Sequence, residues 1–280
     1  MTILVLDFMN AAHRARSGFK AGDHPVVFNF FRGLRSLVEQ FKPTRLYVVL
    51  EGKAVAKRQL MSEYKANRAV DPNDPRTVEL QKFFKQVDVV KSLLSSHFPV
   101  SVVRHPKFEA DDTIANVIRR SSTSADWVVV SSDTDFIQLL ETGHNVRLYN
   151  PVRKEFVAPP EDYPYVVWKA LRGDPSDNIP GIEGCGDKTA ARLAAAVDSQ
   201  EFATFLSEGN NAEVFQRNMD LIQFAEWTIE EAMEMTSSSP APNWNAVKTA
   251  FTDCGFNSMV NDDAWRKFTT TFNDLWGETP

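Results

Sequence analysis

ADWVVVSSDTDF, residues 125–136, is a short apolar run, Trp127 to Val130, that passes through two serines into two acids, Asp133 and Asp135. A strand buried on both faces of a parallel sheet reads this way, as a few β-branched residues without polar alternation. The pattern recurs: Ile3 to Leu6 ends at Asp7, Leu46 to Leu50 ends at Glu51, and Val100 to Val103 is followed by Glu109, Asp111 and Asp112. A fifth run spans Val146 to Tyr149. Helical stretches lie between, Val26 to Gln40 after a turn region at His13 and Arg14, and TVELQKFFKQVDVVKSLL after the polar, proline-marked YKANRAVDPNDP. Strands separated by helices predict an α/β fold around a mostly parallel sheet. Ligands of such sheets sit at the carboxyl ends of the strands, where these acids fall.

The rest of the composition narrows the class without naming a partner. With 37 acidic and 31 basic side chains the 280-residue chain carries a formal charge of -6, which neither signals nucleic acid nor excludes a basic track on part of the surface. Its two cysteines, Cys185 and Cys254, speak against a disulfide framework and a thiolate zinc site and fit a reducing, cytoplasmic compartment. The first residues read as a buried strand rather than a signal peptide, and the apolar runs are too short to span a bilayer.

Hydrolysis of a phosphodiester needs an activated water, neutralisation of the phosphate and stabilisation of the departing oxygen. Divalent cations held by oxygen ligands supply all three. The candidate ligands are Asp7, Glu51, Glu109, Asp111, Asp112, Asp133, Asp135, Asp174 and Asp177. An isolated acid is more often a cap or a surface charge, and Asp177 in SDN is also an ordinary capping sequence. Carboxylates gathered at one sheet edge raise one another's pKa unless cations compensate, so a metal site accounts for the recurrence. Glu109 and Asp112 share a helix face if the helix has begun, with Asp111 to one side and Asp112 also serving as a first-turn acid. Asp133 and Asp135 point the same way if the strand continues.

Two other features bear on a substrate. Tyr64, Lys65, Arg68, Arg76, Lys82, Lys85 and Lys91 give the stretch after the second strand a basic character, either an ordinary crossover or a DNA-handling insert above an acidic site. Residues 180–190 place Gly181, Gly184 and Gly186 before an alanine-rich helix, leaving backbone groups free to hold a phosphate beside Lys188 or Thr189. Asp187 before Lys188 rules out a P-loop, and a purely structural helical hairpin is the alternative.

Together, VLDFMNAAHRA, LEGKAVAKRQLMSEYKANR, FEADDTIA, VVSSDTDFIQLL and GDPSDNIPGIEGCGDKTA resemble the 5′-nuclease family, in the family's order and over roughly residues 1–200. That family comprises flap endonucleases, the exonuclease domain of bacterial DNA polymerase I and stand-alone bacterial and phage 5′-3′ exonucleases. The resemblance implies a PIN-like, Rossmann-like catalytic domain over 1–155 with a helical arch at about 65–99. A helical DNA-binding subdomain with a helix-hairpin-helix-like element follows over 156–235. It implies Mg2+ or Mn2+ at Asp7, Glu109, Asp111, Asp133 and Asp135, with Asp112, Asp174 and Asp177 close by. Lys65 and Arg68 contact the scissile phosphate, Tyr64 stacks on a terminal base, and the hairpin glycines grip duplex DNA and hold K+. Two departures stand out: the family has aspartate at the position of Glu51 and glycine at that of Phe8. Glutamate has longer reach and suits a ligand acting through an intervening water.

The implied partner is DNA with 5′ ends or flaps, with RNA paired to DNA as a further substrate, and the implied state is a monomer without membrane contact. A structure-specific binding protein with a weakened site and a PIN-like ribonuclease are the alternatives; a small-molecule phosphatase leaves the hairpin unexplained. Residues 236–280 match nothing in the family. SSSPAPN reads there as a linker, and the spaced aromatics after it as two helices packed on the body.

Overall fold

A computed structural model describes residues 1–20, 22–68, 74, 76–121, 124–140 and 143–276. The expected arch therefore lies partly outside the described residues, at 69–73 and 75. Five strands, β1 (Thr2–Asp7), β2 (Arg45–Leu50), β3 (Ser101–Arg104), β4 (Asp126–Val130) and β5 (Val146–Asn150), run parallel in the order β5-β4-β1-β2-β3. β6 (Glu155–Val157) adds antiparallel to β5. A separate small ladder joins β7 (Gly173–Asp174) to β8 (Ile179–Pro180), and β9 (Thr236–Ser238) adds antiparallel to β3.

Successive side chains of these strands enter two different cores, as the pleat requires. Leu4, Leu6, Val48 and Val128 face α1 (Phe8–Arg16) and α2 (Pro25–Phe41), while Ile3, Val5 and Val129 face the opposite layer. α3 (Val55–Leu60) leads toward the site and α4 (Arg76–His97) joins the first layer; α5 (Ala110–Arg119) covers the second. A helical unit follows: α6 (Tyr165–Arg172), α7 (Asp187–Ala195), α8 (Gln200–Ser207) and α9 (Asn211–Ile222). Leu171, Ile182, Leu193 and Phe202 form its core. After α10 (Ile229–Met233) and β9, the chain ends in α11 (Trp244–Asp253), α12 (Asn257–Val260) and α13 (Asp262–Phe272).

Several expectations are corrected. His13 and Arg14 lie inside α1 rather than in a turn, because the Asp7 carboxylate accepts from Asn10 N at 3.1 Å and starts the helix where the strand stops. The strand does not run on into SSDTDF: it ends at Val130, and Asp133 caps a 3-10 turn, Thr134–Leu139. Much of the expected arch is core, since Phe83, Val87, Val90, Leu93 and Leu94 of α4 are buried in the first layer. SSSPAPN is only partly a linker, because its first two serines belong to β9. The aromatic stripe packs on the body as expected, with Phe251, Phe268 and Phe272 inside the core formed by α2 and α4.

Candidate metal centre

Strand order departs from β1 in both directions, toward β2 and toward β4. Crevices open at such switch points beyond the carboxyl ends of the strands. Here Asp7 ends β1, Glu51 follows β2, and Asp133 follows β4. Ser131 ties two of them together: its hydroxyl donates to Asp7 Oδ2 at 3.2 Å and accepts from Asp133 N at 3.1 Å. Asn10 fixes the same loop to α1, donating to Ser132 Oγ at 2.8 Å.

A close approach brings Glu51 to α5. A Cβ on Gly52 would lie 2.0 Å from the His105 carbonyl oxygen and 2.1 Å from that of Phe108, so only glycine lets the two segments run side by side. Ala110 N then lies 3.4 Å from Glu51 Oε2, and Glu109 and Asp111 open the helix beside it. From the helical unit, Asp174 and Asp177 enter on the β7–β8 connection, Asp174 capping its 3-10 turn through Ser176 N at 2.9 Å.

All eight of these acids, Asp135 among them, line one cleft of about 940 Å3 together with Lys65 and Arg68. Lys65 adopts a left-handed φ of 56°, strained for a residue with a side chain, and its N–H is held by the Asp177 carbonyl at 2.9 Å. Its ammonium pairs with Glu109 and lies 3.4 Å from Asp177 Oδ2; Arg68 pairs with the same aspartate.

Two expected residues stand elsewhere. Asp112 offers an oxygen near Glu109 and Asp111, yet its side chain turns away from the cleft, to Lys57 Nζ at 3.1 Å and Ala225 N at 2.8 Å. Tyr64 is 3% exposed, and its hydroxyl donates to Glu109 at 2.8 Å and lies 3.2 Å from Asp177. Its ring is packed in a small core with Met61 and Ile179, so it is not presented to a terminal base. The hairpin glycines lie outside the cleft lining. Gly181 packs so closely on the Arg172 carbonyl that a Cβ would sit 2.0 Å from it, whereas Gly184, at φ 74°, and Gly186 face open space. Lys188, exposed, and Thr189 follow in the first turn of α7.

Reading the sequence missed Lys57 and Lys169. Lys57 is buried and lies 3.0 Å from Glu109 Oε2 as well as bonding Asp112. Lys169, also buried, pairs with Asp135 and sits 2.7 Å from Asp174 Oδ2. A signal existed in each case: both lysines stand within short apolar stretches, AVAK and YVVWKAL, where a charge inside needs a partner.

The acids therefore fall into two sets. Glu109, Asp112, Asp135, Asp174 and Asp177 have lysine or arginine partners. Asp7, Glu51, Asp111 and Asp133 have no ion pair among the described residues. Burial alone would raise Glu109, but Lys57 and Lys65 hold it well below the usual range, at about 2. Burial raises Asp7 to about 6, with Asp111 adding repulsion. Enclosure by the cleft, then the charges of Asp111 and Glu109, lift Glu51 to about 8; solvent reaches this side chain, so screening trims the effect. Burial likewise raises Asp133, and it keeps Asp112 and Asp135 near 6 despite their lysines.

A divalent cation fits this set on chemistry. The donors are carboxylate oxygens, Glu109, Asp111 and Asp112 bring theirs within 4.8 Å of one another, as do Asp135, Asp174 and Asp177, and the unpaired acids between them leave a surplus of negative charge.

The geometry defines an oxygen-donor cation site at the edge of a parallel sheet, flanked by a lysine and an arginine, the equipment of a metal-dependent nuclease. Residues 2–163 match the family described as 5′-3′ exonuclease, N-terminal resolvase-like domain, and the chain belongs to that family, related to the exonuclease domains of DNA polymerase I. It is 31% identical over 221 residues to a DNA polymerase I of Mycobacterium bovis, a match that covers 71% of this chain and 23% of that protein. The chain thus corresponds to about a quarter of that polymerase's length. To a 5′-3′ exonuclease of Bacillus subtilis it is 31% identical over 233 residues, 76% of this chain and 75% of the relative. Among solved structures, the bacteriophage T5 D15 flap endonuclease in complex with DNA and metal ions shares the fold, with a TM-score of 0.67 at 19% identity, over 99% of this chain and 100% of that one.

Proposed function

We propose that the protein is a divalent-metal-dependent 5′-nuclease that hydrolyses DNA phosphodiesters, both as a 5′-3′ exonuclease and as a structure-specific endonuclease at 5′ flaps. The observation that carries this reading is the cleft in which Asp7, Glu51, Asp111 and Asp133 converge with no ion pair among the described residues while Lys65 and Arg68 stand at the same wall. The relatives described as 5′-3′ exonuclease and as flap endonuclease support it.

Asp7, Glu109, Asp111 and Asp133 would hold Mg2+ or Mn2+, with Asp135, Asp174 and Asp177 completing or supporting a second position and Glu51 acting through water. When bound, the ions supply an activated water and neutralise charge on the phosphate. The chain's own residues do the rest. Lys65 and Arg68 bind the scissile phosphate and stabilise the charge that develops on its oxygens. Lys57 and Tyr64 grip Glu109 from the side away from substrate and fix its orientation. The amides opening α7, with Lys188 and Thr189, hold a phosphate of the unbroken duplex, and the carbonyls of the glycine turn suit K+. Products carry a 5′-phosphate and a 3′-hydroxyl, and RNA paired to DNA is accepted as well as DNA. The enzyme acts as a monomer in the cytoplasm; among the described residues no helix is long and apolar enough to cross a membrane.

The test is cleavage of a 5′-labelled flap beside a matching nicked duplex, with magnesium or EDTA, by the wild type and Asp133→Asn. Magnesium-dependent cutting that the variant loses is the expected result, and product lengths separate flap incision from end-on degradation. Wild-type protein that binds both substrates and cuts neither with magnesium or manganese overturns the reading in favour of a binding protein.

A further inference from the structure

Across α1 from the cleft lies a second cavity, of about 480 Å3, walled by α1, α2 and the turn between β5 and β6. Arg14, Arg32 and Lys154 line it, and no carboxylate does. In a chain of net charge -6 three cations around a cavity with no carboxylate in its lining need a cause; the acid that acts on Arg14, Asp7, does so from the cleft. Among the described residues none of the three makes an ion pair or a side-chain hydrogen bond. Arg14 Nη1 is shut off from water with no acceptor, a costly state for a guanidinium. Arg32 lies over the Phe28 ring at 5.8 Å, which steadies it at the rim. An unsatisfied fork of this kind matches an anion with several acceptor oxygens.

Position says which anion. Met9, Asn10 and His13 of α1 face the cleft, while Ala11, Arg14 and Ala15 face the cavity. At about 100° per residue the two stripes are centred roughly 145° apart on α1 and come closest at Asn10 and Arg14, one turn apart. Leu6 and Pro151 place the cavity at the same carboxyl edge of the sheet as the acids. A strand lying in the cleft and crossing over α1 meets these cations next.

We propose that this cavity binds a phosphodiester group of the same nucleic-acid strand that occupies the cleft, as a second backbone contact beyond α1. The proposal rests on the nuclease reading above and adds a substrate subsite to it. Its test is equilibrium binding of a 5′-flap duplex to the full chain in EDTA, as a function of salt. The proteins compared are wild type, Arg14→Met, Arg32→Ala and Lys154→Ala, with Arg35→Ala as a control because Arg35 is already paired with Glu39. Thermal melts check that each variant folds; Arg32 and Lys154 are exposed and their removal leaves the core intact. Each of the three variants is expected to lower the slope of log K against log salt by about 0.7–0.9, as loss of one phosphate contact does, while the control keeps the wild-type slope. Unchanged slopes in all three overturn the proposal. Inorganic phosphate that raises the wild-type melting temperature but not that of Arg14→Met, with DNA slopes unchanged, makes the cavity a free-anion site and equally overturns it. Because the readout is binding without metal, loss of the slope effect beside intact cleavage removes the subsite alone. A retained slope effect in a protein that cuts nothing removes the nuclease reading alone.

Discussion

The floor and the wall of the cleft use the same residue types under opposite electrostatic conditions. On the floor, at the ends of β1, β2 and β4, Asp7, Glu51 and Asp133 stand with Asp111, and none of the four makes an ion pair among the described residues. On the wall, Glu109 and Asp177 are gripped by Lys57, Lys65, Arg68 and Tyr64, and Asp135 and Asp174 by Lys169. The fold can hold so many acids together because half of them are balanced from within. The imbalance it leaves is confined to the place where strand ends converge, and a divalent ion is the natural counter-charge there.

The sharpest way to break this contrast is to neutralise one acid on each side. Asp111→Asn on the floor should cut the rate of flap cleavage by on the order of 10²–10³-fold or more, the scale of losing one preorganised electrostatic contact, with a smaller effect on the stability of the metal-free protein than Lys57→Met has. A variant that melts early, with activity per folded molecule preserved, would place Asp111 in the wall's structural category.

On the wall the large effect should be on folding. Lys57→Met strands the buried Asp112 and leaves Glu109 with Lys65 and Tyr64, and is expected to cost about 3 kcal/mol in urea unfolding. Lys57→Met combined with Asp112→Asn should recover part of that loss, and strict additivity would show the two groups to be uncoupled. Tyr64→Phe removes one donor from a carboxylate that keeps two lysines; about 1 kcal/mol is expected, read by the same unfolding curve.

The mildest test is pH. Asp7 and Glu51 titrate in the folded chain near 6 and 8, above the ordinary carboxylate values near 4 that they regain on unfolding. The folded state then binds more protons than the unfolded state through this window, so metal-free stability falls as pH rises from about 4 to 8. Glu51→Gln should flatten the upper part, between pH 6 and 8, in thermal melts with EDTA. A melting temperature that climbs over that range would contradict the crowding of the floor.

Those elements that declared themselves in sequence did so for a common reason. β1, β2, β4 and their neighbours are buried on both faces, so their apolar runs are continuous and end abruptly at the acids. β6 and β9, three residues each, lie at the sheet's edges, and their Glu155-Phe-Val157 and Thr236-Ser-Ser238 sequences carry no such signature; backbone pairing alone defines them. Among the site residues, the acids were legible because they repeat at strand ends. Lys57 and Lys169 were not, because a lysine on a helix ordinarily extends into water, and only the three-dimensional convergence of carboxylates keeps these two inside. Asp112, in the first turn of α5, and Tyr64, in the turn after α3, could be located but not oriented, since which way each side chain leaves the backbone depends on partners, Ala225 and Asp177, more than 100 positions away.

The return of the chain through β9 into α11, α12 and α13 has a consequence for the order of events during synthesis. A ribosome that has reached residue 235 has already made every acid of the cleft. Phe251, Phe268 and Phe272, which fill the core against α2 and α4, have not yet been made. Domain folding during translation waits for the last segment its core requires. The nascent polypeptide therefore carries its full set of reactive groups in an incomplete scaffold until α11 and α13 have emerged and packed against α2 and α4.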